Sequence, residues 1–421
     1  MKITIAGSGA MGCRFGAALF EAGHQVTLLD GWREHVTAIN EAGLRVTDAT
    51  GTRTLAVPAV LFPAPPRPAP APPRPAPVAP RPAPDLPRPV SDPDLPVPDL
   101  ADVVEVAGVA GVADITGLDD VAEVAGPAGV ADVAEVGFVA EVADLVVVFA
   151  KATGTAAVAA AAAGSIGPST LVLTLQNGLG NIEALLARVP ADRLLAGTTT
   201  LGTELLGPGH IRALGTGETV LGALPRTAAG VRATPGQTPH GAAADDAVRP
   251  GALGGAATEA AELIASTLTD AGIRARTSPN ALEVIWAKVA FNCVMNSLCS
   301  IASIPVSALA RYDGFDALAG SILDEVAAVA RAEGVTVDTT AALRLMHAQF
   351  DPSASGDHLA SMLQDLMNGR RTEIAHLNGA IAERAAARGI DAPVNAAISR
   401  LVGLLEATWT GRVNRLHPEL P

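Results

Sequence analysis

Apolar positions recur along this chain with two different periods, and the change of period divides it. Toward the N-terminus they form short continuous runs that end in turns. These are Met1–Ala6, the stretch Gly23–Asp30 after a helical segment through Ala22, Asp144–Ala150, Ser169–Leu175 and Leu194–Thr200. Unbroken apolar runs of this length predict strands of a parallel sheet covered on both faces. Residues 207–223 predict antiparallel strand material, with turns at Pro208-Gly209 and at 215–217. From residue 258 the period becomes helical. The pattern predicts helices over 258–271, from Pro279 onward, and over 317–333, 358–388 and 393–407.

One of these helices carries an unusual polar stripe. Ile285-Trp-Ala-Lys-Val-Ala-Phe-Asn-Cys-Val-Met-Asn296 has no Gly or Pro, and Val289, Phe291, Val294 and Met295 predict burial. Lys288, Asn292 and Asn296 are spaced i, i+4, i+8 and so share one side of the helix. An ammonium and two amides on a largely buried helix are costly without polar partners. Two readings follow: a solvated stripe on a surface helix, or a polar cleft orienting a small oxygen-rich substrate with Lys288 as proton donor.

The N-terminal strand runs directly into Gly7-Ser8-Gly9-Ala10-Met11-Gly12, then a helix and a second strand ending at Asp30. In that context G-x-G-x-x-G is a dinucleotide-binding signal. Gly7 allows the tight turn, Gly9 lets the backbone approach a pyrophosphate, and Gly12 lets helix and strand pack closely. The helix N-terminus supplies amide donors and a favourable dipole. Asp30 stands where an acid binds the ribose hydroxyls of NAD, whereas Arg33 is placed to pair with the 2′-phosphate of NADP, so the cofactor is left open. Lys151 and Asn177 sit at the ends of two further strands, where open α/β sheets bind ligands.

Two stretches interrupt this plan. Residues 63–98 contain 17 prolines, and 101–143 repeat Val-Ala-Glu/Asp-Val units, so 63–140 predicts a low-complexity insertion without chemistry of its own. Residues 226–256, rich in Gly, Ala and Pro, predict a second, flexible insertion. The remaining organisation is a Rossmann-type domain over 1–225 and a helical domain over 257–410. The chain of 421 residues carries 29 Lys plus Arg against 43 Asp plus Glu, a formal charge of −14, which argues against nucleic-acid or anionic-membrane partners. Cys13, Cys293 and Cys299 have no metal-binding or disulfide spacing, so no metal is expected. The first residues lack a signal-peptide pattern, and the Ala-rich run 156–163 is too short to span a bilayer, so a cytoplasmic location is expected.

The glycine motif, Ala150-Lys151, Gln176-Asn177-Gly178, Gly197-Thr-Thr-Thr200, Trp286-Ala-Lys288-x3-Asn292-x3-Asn296 and Ser361-Met-Leu-Gln-Asp365-x5-Arg371-Thr-Glu373 occur in one order. Together they resemble the ketopantoate reductase (2-dehydropantoate 2-reductase) family over most of the chain outside the insertions. The resemblance implies an α/β fold with an N-terminal Rossmann domain, an all-helical C-terminal domain and a cleft between them. It also implies NADPH-dependent reduction of 2-ketopantoate, a small 2-oxo acid, to pantoate in pantothenate and coenzyme A synthesis, by a monomer or homodimer. By position, Lys288 resembles the catalytic lysine and Glu373 the glutamate beside it. Asn292, Asn296, Ser361 and Asn177 match substrate-binding positions. Lys151, Asn177 and residues 7–12 match positions near the cofactor, with Arg33 as the phosphate partner. The family's basic residue just after the second strand is replaced here by Asp30-Gly31, which keeps NADH open. The alternatives are an NAD-dependent reductase of another branched 2-oxo acid and a non-catalytic dinucleotide binder; the retained Lys288 and Glu373 argue against the latter.

Overall fold

Among the described residues there are twelve strands and eleven α-helices, and the first thirty residues set the frame. β1 (Lys2–Ala6) leads through the glycine loop into α1 (Ala10–Glu21), and β2 (Gln25–Asp30) pairs parallel to β1 with Ile5 opposite Leu28. The computed structural model describes residues 1–62, 141–225, 255–350 and 359–409, which fall in one compact unit. After α2 (Arg33–Ala42) come β3 (Leu44–Asp48), β4 (Gly51–Leu55) and β5 (Ala59–Leu61). The chain continues through β6 (Leu145–Val148), α3 (Thr155–Ala161), β7 (Leu171–Thr174), α4 (Asn181–Leu186), β8 (Leu194–Thr199), β9 (Gly202–Gly207), β10 (His210–Leu214) and β11 (Thr219–Ala223). α5 (Gly255–Asp270) and β12 (Ala275–Thr277) complete this half.

Eight strands form one sheet in the order β12-β11-β8-β7-β6-β1-β2-β5. The six from β5 to β8 are parallel, and β11 runs antiparallel to β8. All four residues of β6 are buried, as a doubly covered parallel strand requires. The order reverses between β1 and β6. Their C-terminal ends, Ala6 and Val148, lie opposite each other, which puts the ligand crevice of an open α/β sheet there. A second sheet, β4-β3-β10-β9, packs against α1.

The helical half is built on α6 (Ala281–Ala302). Asn280 caps it, its side-chain oxygen accepting from the Leu282 and Glu283 amides at 3.2 and 3.4 Å. α7 (Phe315–Ala332), α8 (Thr339–Ala348), α9 (Ser361–Met367) and α11 (Pro393–Thr408) pack on α6, and α10 (Asn378–Ala386) packs on α7 and α11. Trp286, Val289, Cys293, Val294 and Met295 are all at most 2% exposed, each stabilising by roughly 1.5–3 kcal/mol if fully transferred from water. α6 is the one described helix long and apolar enough to cross a membrane, but most of it is buried inside protein. A buried amide network fixes its register. Ser297 Oγ donates to Asn378 Oδ1 (2.6 Å), and Asn378 Nδ2 donates to the Cys293 carbonyl (3.0 Å) and to Asn395 Oδ1 (2.9 Å).

Three expectations from the sequence change. The predicted single helix over 358–388 is broken. α9 ends in a Schellman motif: Gly369 adopts φ +64°, its N–H donates to the Leu366 carbonyl at 3.0 Å, and Arg370 N–H donates to Asp365 at 2.8 Å. The chain turns there, so Ser361 and Glu373 are not held ~18 Å apart on a straight rod. Second, the all-helical part begins at α6 rather than at residue 257, because Ala261, Ile264 and Leu268 of α5 enter the core beneath the large sheet and β12 pairs with β11. Third, α2, β3, β4, β5, α3, α4, α8 and β12 have no counterpart among the elements read from the pattern. The insertion over 63–140 and residues 226–254 of the second lie outside the described residues.

Candidate active site

The glycine loop is shaped by contacts that only glycine permits at two of its three positions. Gly7 has φ +92°, and a Cβ there would stand 2.7 Å from the Ala150 amide nitrogen. At Gly12 a Cβ would stand 2.1 Å from the Gly7 carbonyl oxygen. At Gly9 it would meet nothing within 4 Å. The fold thus explains Gly7 and Gly12, while no described residue requires a glycine at position 9. α1 starts at Ala10 with no side-chain cap and no acid in its first turn, so its leading N–H groups are available to an anion. Ser8 Oγ donates to Asp30 Oδ2 (3.2 Å), and the Trp32 amide donates to Asp30 Oδ1 (2.9 Å). Arg33 is exposed at the start of α2. This arrangement fits a dinucleotide: a phosphate over Gly9 and a ribose beside Asp30.

Lys288 reaches from α6 to the C-terminal end of β8, where its Nζ donates to the Thr199 carbonyl at 2.6 Å. Burial pushes the Lys288 ammonium down to about 8, and the Glu373 carboxylate opposes part of that shift. No hydrogen bond or ion pair joins the two; the Glu373 carboxylate acts on Lys288 through its charge. Glu373 Oε2 accepts from Asn177 Nδ2 and Oε1 from the Ala152 amide, both at 3.4 Å. One carboxylate therefore links the ends of β6 and β7 to the loop after α9.

The polar stripe of α6 continues away from Lys288. Asn292 is 6% exposed, and its side-chain amide makes no hydrogen bond to any described residue. Asn296 Nδ2 donates to Ser361 Oγ at 3.4 Å, at the start of α9. Lys151 does not stand free at the end of β6. Its Nζ donates to Asp365 Oδ2 (2.5 Å), and the same buried carboxylate takes Arg370 Nε at 3.1 Å. The structure thus brings Lys288, Asn177, Glu373 and Lys151 to the ends of β6, β7 and β8, with Asn292 and Asn296 along α6 and Ser361 of α9 beside Asn296. Gly7–Gly12 and Arg33 lie at the ends of β1 and β2.

Sequence reasoning missed several groups that hold these residues. Asp365 was visible inside the Ser361–Asp365 motif, but not as the partner of Lys151. The Thr199 carbonyl leaves no side-chain signal at all. At His376, the Leu179 N–H donates to its carbonyl (2.8 Å) and Nδ1 meets the Leu179 carbonyl (3.0 Å). A Cβ on Gly178 would stand 2.7 Å from that His376 carbonyl, so Gly178 is required for the Asn177 loop to close on Glu373. Arg384 reinforces the same seam, bonding Glu183 of α4 (2.5 Å) and Glu333 (2.7 Å).

Comparison with known proteins agrees with this geometry. The family model described as ketopantoate reductase PanE/ApbA matches residues 3–74 and 120–226, and its C-terminal counterpart matches 280–406. The 2-dehydropantoate 2-reductase of Lactococcus lactis is 27% identical over 403 residues, covering 96% of this chain and 97% of that protein. The enzyme of the same name from Halobacterium salinarum is 28% identical, covering 96% and 99%. Among solved structures, a D-mandelate dehydrogenase with NADH and anilino(oxo)acetate aligns with TM-score 0.70 at 26% identity, covering 97% of this chain and 99% of that one. A PanE/ApbA family ketopantoate reductase from Ralstonia eutropha aligns with TM-score 0.64 at 28% identity, covering 97% and 100%. With the two family models together spanning most of its length, this chain is an oxidoreductase of the ketopantoate reductase family.

Proposed function

We propose that this protein reduces 2-dehydropantoate to (R)-pantoate, with NADPH as the reductant, in the cytoplasmic synthesis of pantothenate. The observation that carries the reading is Lys288: an ammonium with its pKa lowered to about 8, anchored at a strand end and coupled to Glu373. When bound, the reduced nicotinamide supplies a hydride to C2 of the 2-oxo acid. Lys288 Nζ gives a proton to the C2 oxygen as the hydride arrives, so a carbonyl becomes an alcohol. Thr199 takes one of its three N–H donors, which aims the others at the substrate. A donor pKa near the working pH suits general-acid catalysis. Asn292, Asn296 and Ser361 bind the substrate carboxylate and hydroxyl, Asn292 with an amide that has no protein partner among the described residues. Glu373 keeps Lys288 charged and orients Asn177.

The direct test is loss of reduced-nicotinamide absorbance with 2-dehydropantoate and each cofactor. Binding of both cofactors with no oxidation of either in the presence of 2-dehydropantoate would end this reading. A pH profile adds a second check. Lys288 must be protonated to act, so kcat is expected to fall as pH rises through about 8. Because the Glu373 carboxylate raises that pKa, Glu373→Gln should move the alkaline limb to lower pH. A limb that stays in place, or moves up, would remove Glu373 from this role.

A second reading, NADH with another branched 2-oxo acid, is favoured by Asp30. Its carboxylate is held by the Ser8 hydroxyl and the Trp32 amide at the end of β2. A charge there accepts ribose hydroxyls and repels a 2′-phosphate. On the NADH reading, Asp30→Ser shifts the NADPH-to-NADH ratio of kcat/KM upward by on the order of tenfold, about 1.4 kcal/mol. On the NADPH reading, Arg33→Ala lowers NADPH use and spares NADH. Kinetics of the two variants with both cofactors decide between them.

A further inference from the structure

His35 is fully buried, lies outside the polar cleft, and is used by none of the chemistry above. Its ring has four neighbours: the Gly209 amide, the Ser8 carbonyl, the Trp32 indole and the Cys13 thiol, whose Sγ lies 3.3 Å from Nε2. The Gly209 amide donates to Nδ1 at 3.0 Å, so Nδ1 is an acceptor and the ring proton sits on Nε2. Nε2–H donates to the Ser8 carbonyl at 2.9 Å. The Trp32 indole stacks on the ring, with an interplanar angle of 7°. Cys13 Sγ donates to the same Ser8 carbonyl at 2.9 Å. That oxygen therefore points into the core with two donors on it.

The consequence comes from peptide geometry. No described peptide bond is cis, and in a trans peptide the C=O and the following N–H point in opposite directions. With the Ser8 carbonyl anchored inward, the Gly9 N–H must point outward. It makes no hydrogen bond among the described residues, and none of them comes within 4 Å of where a Gly9 Cβ would stand. We propose that His35 is a positioning residue for dinucleotide binding: by holding the Ser8 carbonyl it turns the Gly9 N–H toward a phosphate of the cofactor. This rests on the reading that residues 7–12 bind the dinucleotide.

Two substitutions separate the two bonds His35 makes. In glutamine the terminal amide lies as many bonds from Cβ as Nε2 does, so His35→Gln keeps a donor for Ser8. In asparagine the amide matches Nδ1, so His35→Asn keeps an acceptor for Gly209 and loses the donor. The measurement is titration calorimetry with NADH, NADPH and ADP-ribose, together with kcat at saturating cofactor and thermal unfolding. His35→Gln should bind all three within about threefold of wild type. His35→Asn should bind each roughly tenfold or more weakly, with kcat at saturation unchanged in both variants. Equal affinities, or tighter binding by His35→Asn, would overturn the proposal. Wild-type protein that binds none of the three probes would remove the dinucleotide reading of the loop, and this proposal with it. Binding by wild type with no difference between the variants removes only the role of His35.

Discussion

Replacing Lys288 by Ala is expected to lower kcat by about 10²–10⁴-fold, the range typical of a lost general acid, while dinucleotide affinity stays at the wild-type value. The split follows from geometry. Lys288 sits on α6 at the end of β8, whereas the glycine loop and Asp30 lie at the ends of β1 and β2. Stability should move the other way. The Lys288 pKa in the fold, about 8, is below its ordinary 10.5, so folding opposes the charged form at every pH below 10.5, and most fully below 8. Lys288→Met keeps the aliphatic stem and removes the charge. It should unfold at a higher temperature than wild type at pH 7 and gain progressively less above pH 8, where the wild-type lysine loses its proton. Steady-state kinetics, cofactor titration and thermal unfolding check the three parts. Turnover within threefold of wild type in Lys288→Ala would end its assignment as proton donor.

The second large effect is a contrast inside the glycine loop. Gly12→Ala puts a methyl 2.1 Å from the Gly7 carbonyl, a backbone atom that cannot swing aside. α1 must move off the loop, at a cost of roughly 1–3 kcal/mol or more, and the phosphate site is lost with it. Gly9→Ala meets no protein atom within 4 Å, and the φ of −63° at Gly9 suits alanine. Its fold should be intact, yet its methyl occupies the space assigned to a phosphate. The expected pattern is a lower unfolding temperature for Gly12→Ala, an unchanged one for Gly9→Ala, and weakened dinucleotide binding in both. Full binding by Gly9→Ala would show that the open space is not where the phosphate sits.

Much of this was readable in advance because it is local. The spacing of Gly7, Gly9 and Gly12 after an apolar strand encodes a turn whose constraints lie within six residues, apart from the approach of Gly7 to Ala150. The i, i+4, i+8 stripe of Lys288, Asn292 and Asn296 encodes one side of α6, whatever packs around it. The end of α9 was also local and was overlooked: Asn368-Gly369 is a helix stop, and ignoring it produced one long helix in place of α9 and α10. α2 and β3–β5 were harder. They are short and partly exposed, and two of the strands belong to a small edge sheet, so no unbroken apolar run marks them.

The partners of the polar groups were not readable, because a hydrogen bond between distant residues depends on where strand ends and loops converge. Lys288 is anchored by a backbone carbonyl 89 residues away, which carries no side-chain signature. Glu373 bonds Asn177 across 196 residues, and Lys151 is held by Asp365 across 214. His35 looks in sequence like an ordinary polar position on α2, and only its burial between Ser8 and Gly209 gives it a task. The chain's local order thus determined the nucleotide loop, the polar helix and the family. The packing of the sheet ends against the helical half decided which charge meets which, since desolvation and direct contact, the two things that tune a lysine or fix a histidine tautomer, exist only once distant segments have been brought together.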